Sequence, residues 1–483
     1  MNSVSAVAMV VILGCLSIPM PCNGAAPPRP NIIFILLDNC GQEWLGCYGS
    51  EEGCTPEIDR LARDGVRFEH CYAAPVCGPS RIMLLTGRYP FRTGFTLHHD
   101  AALYGGGGLD PKREIIWPRV LREAGYATGI VGKWQINKLS EEPDALRLHG
   151  FDEHAVWPGE IDRDKVPDAD YEKFLEAIRE ESAERTGQFI RNIESRYWDP
   201  VLVQNGRRAR HEGKFGPDVM QQIALDFVRR HKDEHFLLYY PMVLTHGTTF
   251  TQPVVPTPLN MDAGRPHQEM YADMVRYADR LVGQLVQSLD SLGLRERTIV
   301  FVATDNGTEG SMVARRSGRR VPGALYQLTE AGGDVALLAN CPRLIPPGRT
   351  IPLADFTDVY PTVCDFAGVA RPTDLIFDGH SHARMLRGEA GATPGRDWIF
   401  NQQATTRVIR DTRFKLYSTG GFFDVAADPD EKTDLATSGD PRAMAARDRL
   451  MALLRGLPAD SPPPIKLRSQ AVFRLKAKSK AGH

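Results

Sequence analysis

The sequence predicts an α/β protein in which a doubly wound, mostly parallel sheet is followed by a smaller α+β unit. Up to about residue 370, short continuous apolar runs alternate with longer amphipathic segments, as in sheets covered by helices on both faces. Beyond Pro372 the pattern changes to short strand-like segments separated by turn residues, which indicates a small antiparallel sheet.

The elements of the main sheet follow from hydrophobic periodicity. Buried strands are predicted at 31–37, 127–131, 236–240 and 297–304. Helices are predicted to begin at Thr55-Pro56 and to cover 117–124, 171–186, 218–230, 270–292 and 355–368. In the C-terminal unit, strands are predicted at 398–400, 406–409 and 414–417, with a helix near 441–457.

Four regions are expected along the chain. Residues 1–26 have the apolar run and the small residues of a secretory signal peptide, and we therefore expect an exported protein. The match departs from the usual pattern in that no Lys or Arg precedes the run. An uncleaved membrane anchor is the alternative. The main α/β domain is expected at 27–370, the small antiparallel-sheet domain at 371–460, and a basic, disordered tail at 461–483.

Composition excludes some classes of function. The 483 residues are 42% hydrophobic and 24% charged, which is ordinary for a globular protein, and a formal net charge of −2 gives no overall attraction to nucleic acid or to membranes. Two of the nine cysteines lie in the predicted signal peptide. The others can form disulfides in an exported protein, in pairings that the spacing does not define, and without a CxxC pair a zinc site is not expected.

A short loop that leads into a helix is centred on Cys77. Pro79 suits the first helical position, and Gly87 is placed to end the helix. The N–H groups and dipole of a helix N-terminus favour an anion, and Arg81 adds a positive charge one turn further on. A cysteine in this setting is expected to have a lowered pKa and to be reactive. A buried structural cysteine is the alternative.

Two predicted strands end in the same dipeptide, Asp38-Asn39 and Asp305-Asn306. If the strands are parallel and close, their four polar side chains meet at one edge of the sheet. Carboxylate and amide oxygens suit calcium or magnesium rather than zinc. The alternative is a pair of ordinary Asx turns. Together, the two pairs predict a metal site.

Several motifs resemble those of the type I sulfatases, which belong to the alkaline phosphatase superfamily. Cys-Gly-Pro-Ser-Arg at 77–81, continued by Leu-Thr-Gly-Arg at 85–88, resembles the family signature. Residues 31–49 and 304–307 resemble its first and second metal-binding segments, and the likeness extends over roughly 31–440. The resemblance implies an alkaline-phosphatase-like α/β core with a small C-terminal α+β domain.

The resemblance also implies a reaction and its catalytic residues. Cys77 would be oxidised to formylglycine by a formylglycine-generating or other sulfatase-maturing enzyme, and the hydrated aldehyde would be the nucleophile. The two Asp-Asn pairs would bind calcium in preference to magnesium. Arg81 and Lys133 would hold the formylglycine and the sulfate, and His246 is the candidate acid for the leaving alcohol.

The chain departs from the family pattern at three places. Asn39 replaces the usual second acid of the first metal pair. Gln135 replaces a histidine, and glutamine can bind sulfate or a sugar but cannot transfer a proton. No lysine precedes the Glu-Ala-Gly-Gly turn at 330–333, so Arg319 or Arg320 would have to supply that charge to the substrate.

The leading hypothesis is therefore a sulfuric ester hydrolase that removes sulfate from a sulfated carbohydrate, with no nucleic acid partner. One alternative is a phosphate or phosphonate ester hydrolase with the same site. Another is a catalytically weakened protein that binds sulfated glycans. The three departures motivate this last alternative, but the intact Cys77-x-Pro79-x-Arg81 pattern argues against it, because a pure binder needs no modifiable cysteine.

Overall fold

The computed structural model describes residues 29–98, 101–104, 107–179, 192–247, 255–256 and 266–462. The predicted signal peptide, nearly all of the predicted basic tail and the last part of the helix predicted at 171–186 lie outside these ranges, so those assignments stay predictions. None of the described helices combines the length and the apolar character needed to cross a membrane.

The strands bear out most of the predicted positions, within a few residues. In chain order they are β1 (Asn31–Leu37), β2 (Val66–Tyr72), β3 (Ala127–Lys133), β4 (Glu153–Trp157), β5 (Val201–Gln204), β6 (Arg207–Arg210), β7 (Phe236–Pro241), β8 (Thr298–Thr304), β9 (Val313–Arg316), β10 (Arg319–Pro322), β11 (Asp334–Val335), β12 (Leu337–Asn340), β13 (Arg349–Asp355), β14 (Ile399–Gln403), β15 (Thr406–Arg410), β16 (Phe414–Tyr417) and β17 (Phe422–Asp424).

The helices lie between these strands. They are α1 (Pro56–Arg63), α2 (Cys77–Thr86), α3 (Pro90–Thr93), α4 (Ala101–Tyr104), α5 (Trp117–Glu123), α6 (Ala145–Leu148), α7 (Asp168–Arg179), α8 (Gly216–Arg230), α9 (His267–Ser291), α10 (Glu330–Gly333), α11 (Val359–Ala367), α12 (Ala383–Arg387) and α13 (Pro441–Gly456). The helix predicted at 355–368 begins later, because Asp355 ends β13 and caps the 3-10 turn Phe356–Asp358 that precedes α11.

The described residues form one large mixed sheet in the order β11-β2-β12-β8-β1-β7-β3-β4-β5-β6, with β13 also paired to β2. The central pairs β8-β1, β1-β7, β7-β3 and β3-β4 are all parallel. Antiparallel pairs occur toward both ends, where β12 joins β8 and β5 joins β4. The prediction of a mostly parallel α/β sheet is confirmed.

Strand β1 explains why the sheet must be covered on both faces. Phe34 and Leu36 pack into one hydrophobic cluster, whereas Ile33 and Ile35 pack into a second cluster on the opposite face. All four side chains are fully buried. A strand with apolar residues on both faces is stable only between two layers of helices. The helices leave the carboxyl ends of the strands uncovered, and this is the edge of the sheet where ligands bind in such folds.

The smaller C-terminal sheet is the antiparallel meander β14-β15-β16-β17. Its apolar residues Phe400 and Ile409 belong to the same hydrophobic cluster as one face of the main sheet. Buried charges also join the two parts. Glu330 of α10 pairs with Arg410 of β15 and with Lys415 of β16, and Lys415 Nζ lies 3.1 Å from the Glu330 carboxylate.

Disulfides make no contribution in the described part of the chain. The seven cysteines found there are all free thiols, and all but Cys47 are buried. Burial raises the pKa of Cys71 and Cys364, so these thiols are protonated and behave as small apolar side chains.

The buried ion pairs of Glu330 give a prediction about stability. Replacing Arg410 by Met removes one of its two cationic partners inside the protein, and the free energy of unfolding should fall by about 3 kcal/mol. Chemical denaturation measures this change. Arg384→Met is the matched control, since Arg384 is exposed and its pair with Glu389 is solvated, and it should leave stability nearly unchanged. Equal effects of the two substitutions would contradict the role given to the buried pair.

Candidate active site

Helix α2 carries Cys77 as its first residue, two residues earlier than the position of Pro79 suggests. Val76 is extended and forms the N-cap, and Gly87 ends the helix in the left-handed conformation with φ 67°, as predicted. Nearly all residues of α2 are buried, including Arg81. Cys77 therefore lies at a helix N-terminus inside the protein and not on its surface.

The two Asp-Asn pairs meet because β1 and β8 are parallel neighbours whose last residues, Leu37 and Thr304, are in register. The backbone N–H of Asn39 donates to Asp305 Oδ1 at 3.0 Å, and Asn306 Nδ2 donates to Asn39 Oδ1 at 2.8 Å. All four residues of the two pairs are buried. The expected convergence at one edge of the sheet is therefore present.

Two buried cations neutralise the two carboxylates. Lys133, the last residue of β3, donates from Nζ to Asp38 Oδ2 at 2.7 Å. Arg81 donates from Nε and Nη2 to Asp305 Oδ2 at 3.0 Å and 2.8 Å, and from Nη1 to the carbonyl of Lys133 at 3.1 Å. The motif residues Arg81 and Lys133 thus lie beside the two Asp-Asn pairs, and their role in holding the formylglycine and the sulfate stays a prediction.

The electrostatic balance differs between the two carboxyl groups. Burial alone would raise the pKa of Asp38, but the charges of Lys133 and Arg81 outweigh it and hold that pKa well below the usual range. Burial, together with the nearby charge of Asp38, raises the pKa of Asp305 to about 6. A further positive charge between the two carboxylates would favour the ionised form of both.

The unsatisfied oxygens at this edge fit a hard cation. Asp38 Oδ1 and Asn306 Oδ1 are buried, and neither accepts a hydrogen bond from any described residue. Asp38 Oδ1 lies 3.6 Å from Arg81 Nη2, but leaving either oxygen without a hydrogen bond is costly unless a ligand compensates. Because the donor set, with Asn39 and Asp305, consists of carboxylate and amide oxygens, it suits calcium or magnesium and not zinc. The role of these residues as metal ligands stays a prediction.

The thiol of Cys77 is surrounded by polar groups. Its Sγ lies 3.8 Å from Gln135 Oε1 and 3.8 Å from His98 Nδ1. Burial raises the pKa of the thiol even though the charges of Lys133 and Arg81 act in the opposite direction. The lowered pKa expected from the helix N-terminus is therefore wrong, and the unmodified thiol is a poor nucleophile at neutral pH.

His246 lies in the loop that follows β7. The preceding Thr245 donates from its backbone N–H to the carbonyl of Asp38 at 2.9 Å. His246 Nδ1 lies 2.8 Å from the carbonyl of Gly247, and because a carbonyl only accepts, Nδ1 carries the proton. Burial, with the charge of Arg196, lowers the pKa of His246 to about 3. His246 is thus neutral at neutral pH, with Nε2 unprotonated, and its role as the catalytic acid stays a prediction.

Arg319 and Arg320 lie apart from these groups. Both are exposed on β10 of the two-stranded sheet β9-β10. Arg319 pairs with Asp430 of the C-terminal region. Within the described ranges neither arginine contacts Cys77 or the Asp-Asn pairs, and their predicted role in substrate binding stays a prediction.

His98 is a site residue that the sequence analysis does not indicate. It is the first of the two adjacent histidines His98-His99 after α3, and no motif or spacing in the sequence assigns it a role. Only the fold brings it to the Cys77 thiol. Ser80, by contrast, lies inside the recognised motif, and its hydroxyl donates to the carbonyl of Asp305 at 2.5 Å.

A second group of possible metal ligands has a structural role. His70, Glu330 and Asp334 lie close enough to share an ion. However, Asp334 already accepts hydrogen bonds from Gln42 at 3.0 Å and bonds to His70 at 2.7 Å. Glu330 is paired with Lys415 and with Arg410. Since these oxygens are satisfied, the group stabilises the junction with the C-terminal sheet.

Comparisons with known proteins agree with this geometry. The model of the sulfatase family matches residues 30–369. The chain is 32% identical to the steryl-sulfatase of Mus musculus over 427 residues, which is 76% of this chain and 66% of that protein. It is 33% identical to the N-acetylgalactosamine-6-sulfatase of Canis lupus familiaris over 374 residues, which is 73% of this chain and 65% of that protein. The chain thus spans about two thirds of the length of these relatives.

A solved structure shows the same fold. The crystal structure of Ps i-CgsB in complex with k-i-k-neocarrahexaose is 24% identical in sequence, and its TM-score is 0.70. The match covers 93% of this chain and 98% of that one, so the large sheet and the smaller C-terminal sheet both have counterparts.

The unpaired oxygens predict metal-dependent stability. After treatment with a chelator, added calcium should raise the melting temperature, by an amount equivalent to about 2.7 kcal/mol at 100 times Kd. Asn39→Asp supplies a further carboxylate and should tighten calcium binding about tenfold. A thermal scan measures the melting temperature, and calorimetric titration measures the affinity for calcium. Asn205→Asp, at an exposed asparagine with the same left-handed backbone, is the control. No binding of calcium, or weaker binding by the Asn39→Asp variant, would contradict the assignment.

Proposed function

The chain belongs to the sulfatase family, and from that premise we propose that it hydrolyses sulfate esters of carbohydrates, using a formylglycine formed from Cys77 and a bound calcium ion. The observation that carries the proposal is the position of Cys77. It lies at the buried N-terminus of α2, beside two carboxylates that Lys133 and Arg81 neutralise.

Formylglycine and calcium have different roles in this proposal. When present, formylglycine supplies a hydroxyl nucleophile from its hydrated aldehyde, and calcium supplies Lewis-acid stabilisation of negative oxygens. Asp38, Asn39, Asp305 and Asn306 would hold the calcium ion. The high pKa of the Cys77 thiol supports a need for modification, because the thiol itself is a weak nucleophile at neutral pH.

Lys133 and Arg81 are the residues near Cys77 that would stabilise negative charge on the substrate. Lys133 and Arg81 are locked by their pairs with Asp38 and Asp305, so their positive charges are fixed before a substrate arrives. Fixed charges in a site from which water is excluded stabilise a developing anion without reorganisation. These residues would therefore act mainly on the oxygens of the sulfate group.

Proton transfer is assigned to histidines. Gln135 lies next to Cys77 but has no proton to exchange, so it would bind substrate through hydrogen bonds. His246 Nε2 is unprotonated at neutral pH, and as the candidate acid it would take up the proton that the nucleophile loses and return it to the leaving alcohol. His98 lies as close to the thiol as Gln135 does and is a second candidate for this work.

A sulfated carbohydrate is the substrate class that we favour. One relative is named for the 6-sulfate of N-acetylgalactosamine, whereas another is named for steryl sulfates. The polar side chains of Gln135 and His98 next to Cys77 support a hydroxylated substrate over a sterol. Export, and maturation by a sulfatase-modifying enzyme, belong to the same proposal.

Cys77→Ala tests the nucleophile. Turnover of 4-methylumbelliferyl sulfate and of N-acetylgalactosamine 6-sulfate should fall by at least about 10,000-fold, while binding of inorganic sulfate is largely kept. Cys364→Ala, at a buried cysteine in α11, is the control. Undiminished activity would show that the nucleophile assignment is wrong. Turnover of phosphate esters but not sulfate esters by the unchanged protein would favour the phosphoesterase alternative.

His98→Asn tests the second histidine. If His98 exchanges a proton in the reaction, kcat/KM should fall about 100-fold, with a changed pH profile. His235→Asn is the control, because His235 is exposed and directly precedes β7. A His98→Asn variant as active as this control would restrict proton transfer to His246.

A further inference from the structure

A half-buried arginine near the candidate active site, Arg196, has no anionic partner among the residues that the structure describes. Arg196 stacks over the ring of Trp157, with its guanidinium carbon 4.0 Å from the ring centroid. Its Nη1 atom is buried and donates no hydrogen bond to any residue that the structure describes. A buried guanidinium N–H without an acceptor is costly, so such an atom is expected to have a partner other than the residues that the structure describes.

The sheet register and the stacking on Trp157 place Arg196 near the edge of the sheet that carries Lys133. Trp157 is the last residue of β4 and Lys133 the last residue of β3, and the two residues are in register in a parallel pair. Because Arg196 lies against Trp157, it lies near the same edge of the sheet as Lys133. This edge also carries the paired Asp-Asn residues.

Tyr197, the residue after Arg196, connects this segment to the loop of His246 through hydrogen bonds. The Tyr197 hydroxyl lies 2.8 Å from the carbonyl oxygen of His246 and 3.0 Å from that of Val243. After burial, the positive charge of Arg196 contributes most to the lowered pKa of His246. Arg196 is thus held close to His246 by backbone-directed contacts.

Arg196 differs from the other two cations at this edge of the sheet, each of which is paired with a carboxylate. Lys133 is 2.7 Å from Asp38, and Arg81 is 2.8 Å from Asp305. Among the described residues, Arg196 forms no ion pair. Stacking on the indole ring fixes the plane of the guanidinium, which prepares it for two parallel hydrogen bonds to an oxyanion.

We propose that Arg196 is a substrate-binding residue that contacts an anionic oxygen of the sulfated substrate beside His246. The proposal rests on the proposed function and adds a residue that no motif indicates. The oxygen belongs either to the sulfate group that is cleaved or to a second acidic group, such as a uronate carboxylate, on the same substrate. Both sources share the oxyanion chemistry that a planar guanidinium binds.

Kinetics with two substrates distinguish the sources. Arg196→Gln should raise KM about 10- to 100-fold with a much smaller change in kcat, as expected for the loss of a charge-assisted hydrogen bond. Arg196→Lys should restore part of the loss. If the effect occurs with 4-methylumbelliferyl sulfate, the contact is to the cleaved sulfate. If it occurs only with a chondroitin 6-sulfate disaccharide, the contact is to the uronate.

The matched control is Arg280→Gln on α9. Arg280 stacks on the ring of Tyr277 at 4.1 Å, and it is exposed. If Arg196→Gln and Arg280→Gln give the same KM values with both substrates, the proposal is overturned. Melting temperatures of all variants verify that the fold is retained.

A binding experiment separates this proposal from the proposed function. In the calcium-loaded Cys77→Ala protein, titration calorimetry with the chondroitin 6-sulfate disaccharide needs no turnover. Adding Arg196→Gln should weaken binding about 10- to 100-fold, and adding Arg280→Gln should not. This result would stand even if the protein hydrolysed no sulfate ester. Equal binding, or an equal absence of binding, with and without Arg196→Gln would overturn the proposal.

Discussion

The buried charge cluster at the carboxyl edge of the central strands constrains the rest of the structure. Asp38 and Asp305 are fully buried, and two buried carboxylates are strongly unfavourable unless cations compensate them. Lys133 and Arg81 compensate them from β3 and α2, which requires these elements to dock on β1 and β8 in one register. The continuous apolar runs of the central strands make that docking possible, because helices must cover both faces of the sheet. The cluster and the fold therefore depend on each other.

The departures from the family pattern shift the charge of the site rather than remove its chemistry. With Asn39 in place of an acid, the cluster has two carboxylates for its two cations, so the metal would be held less tightly and the site would be more positive toward an anion. Gln135 removes a proton-exchanging group beside Cys77, and the fold brings His98 to the same distance from the thiol. Arg196 adds a cation near His246 that forms no ion pair with any residue of the described ranges. All of these features favour an anionic substrate.

Sequence reasoning succeeds here where a pattern is local. The apolar run of β1, the polar pair that follows it and the glycine that ends α2 each depend on neighbouring residues, and all are present as predicted. It fails where a property depends on the whole fold. The pKa of Cys77 was expected to fall because the helix N-terminus is visible in the sequence, but complete burial, which is not visible there, raises it. His98 and Arg196 reach the site through loops without motifs, so no spacing indicates them.

The chemical state of residue 77 tests the central claim most directly. We would isolate the tryptic peptide 68–81 from protein produced in a host that matures sulfatases and determine its mass. The account predicts that the sulfur of Cys77 is lost and that an aldehyde, which reacts with a hydrazide, takes its place. An unmodified thiol in that host would contradict a formylglycine-dependent mechanism, and would leave the protein as a binder of sulfated glycans or an esterase with another nucleophile.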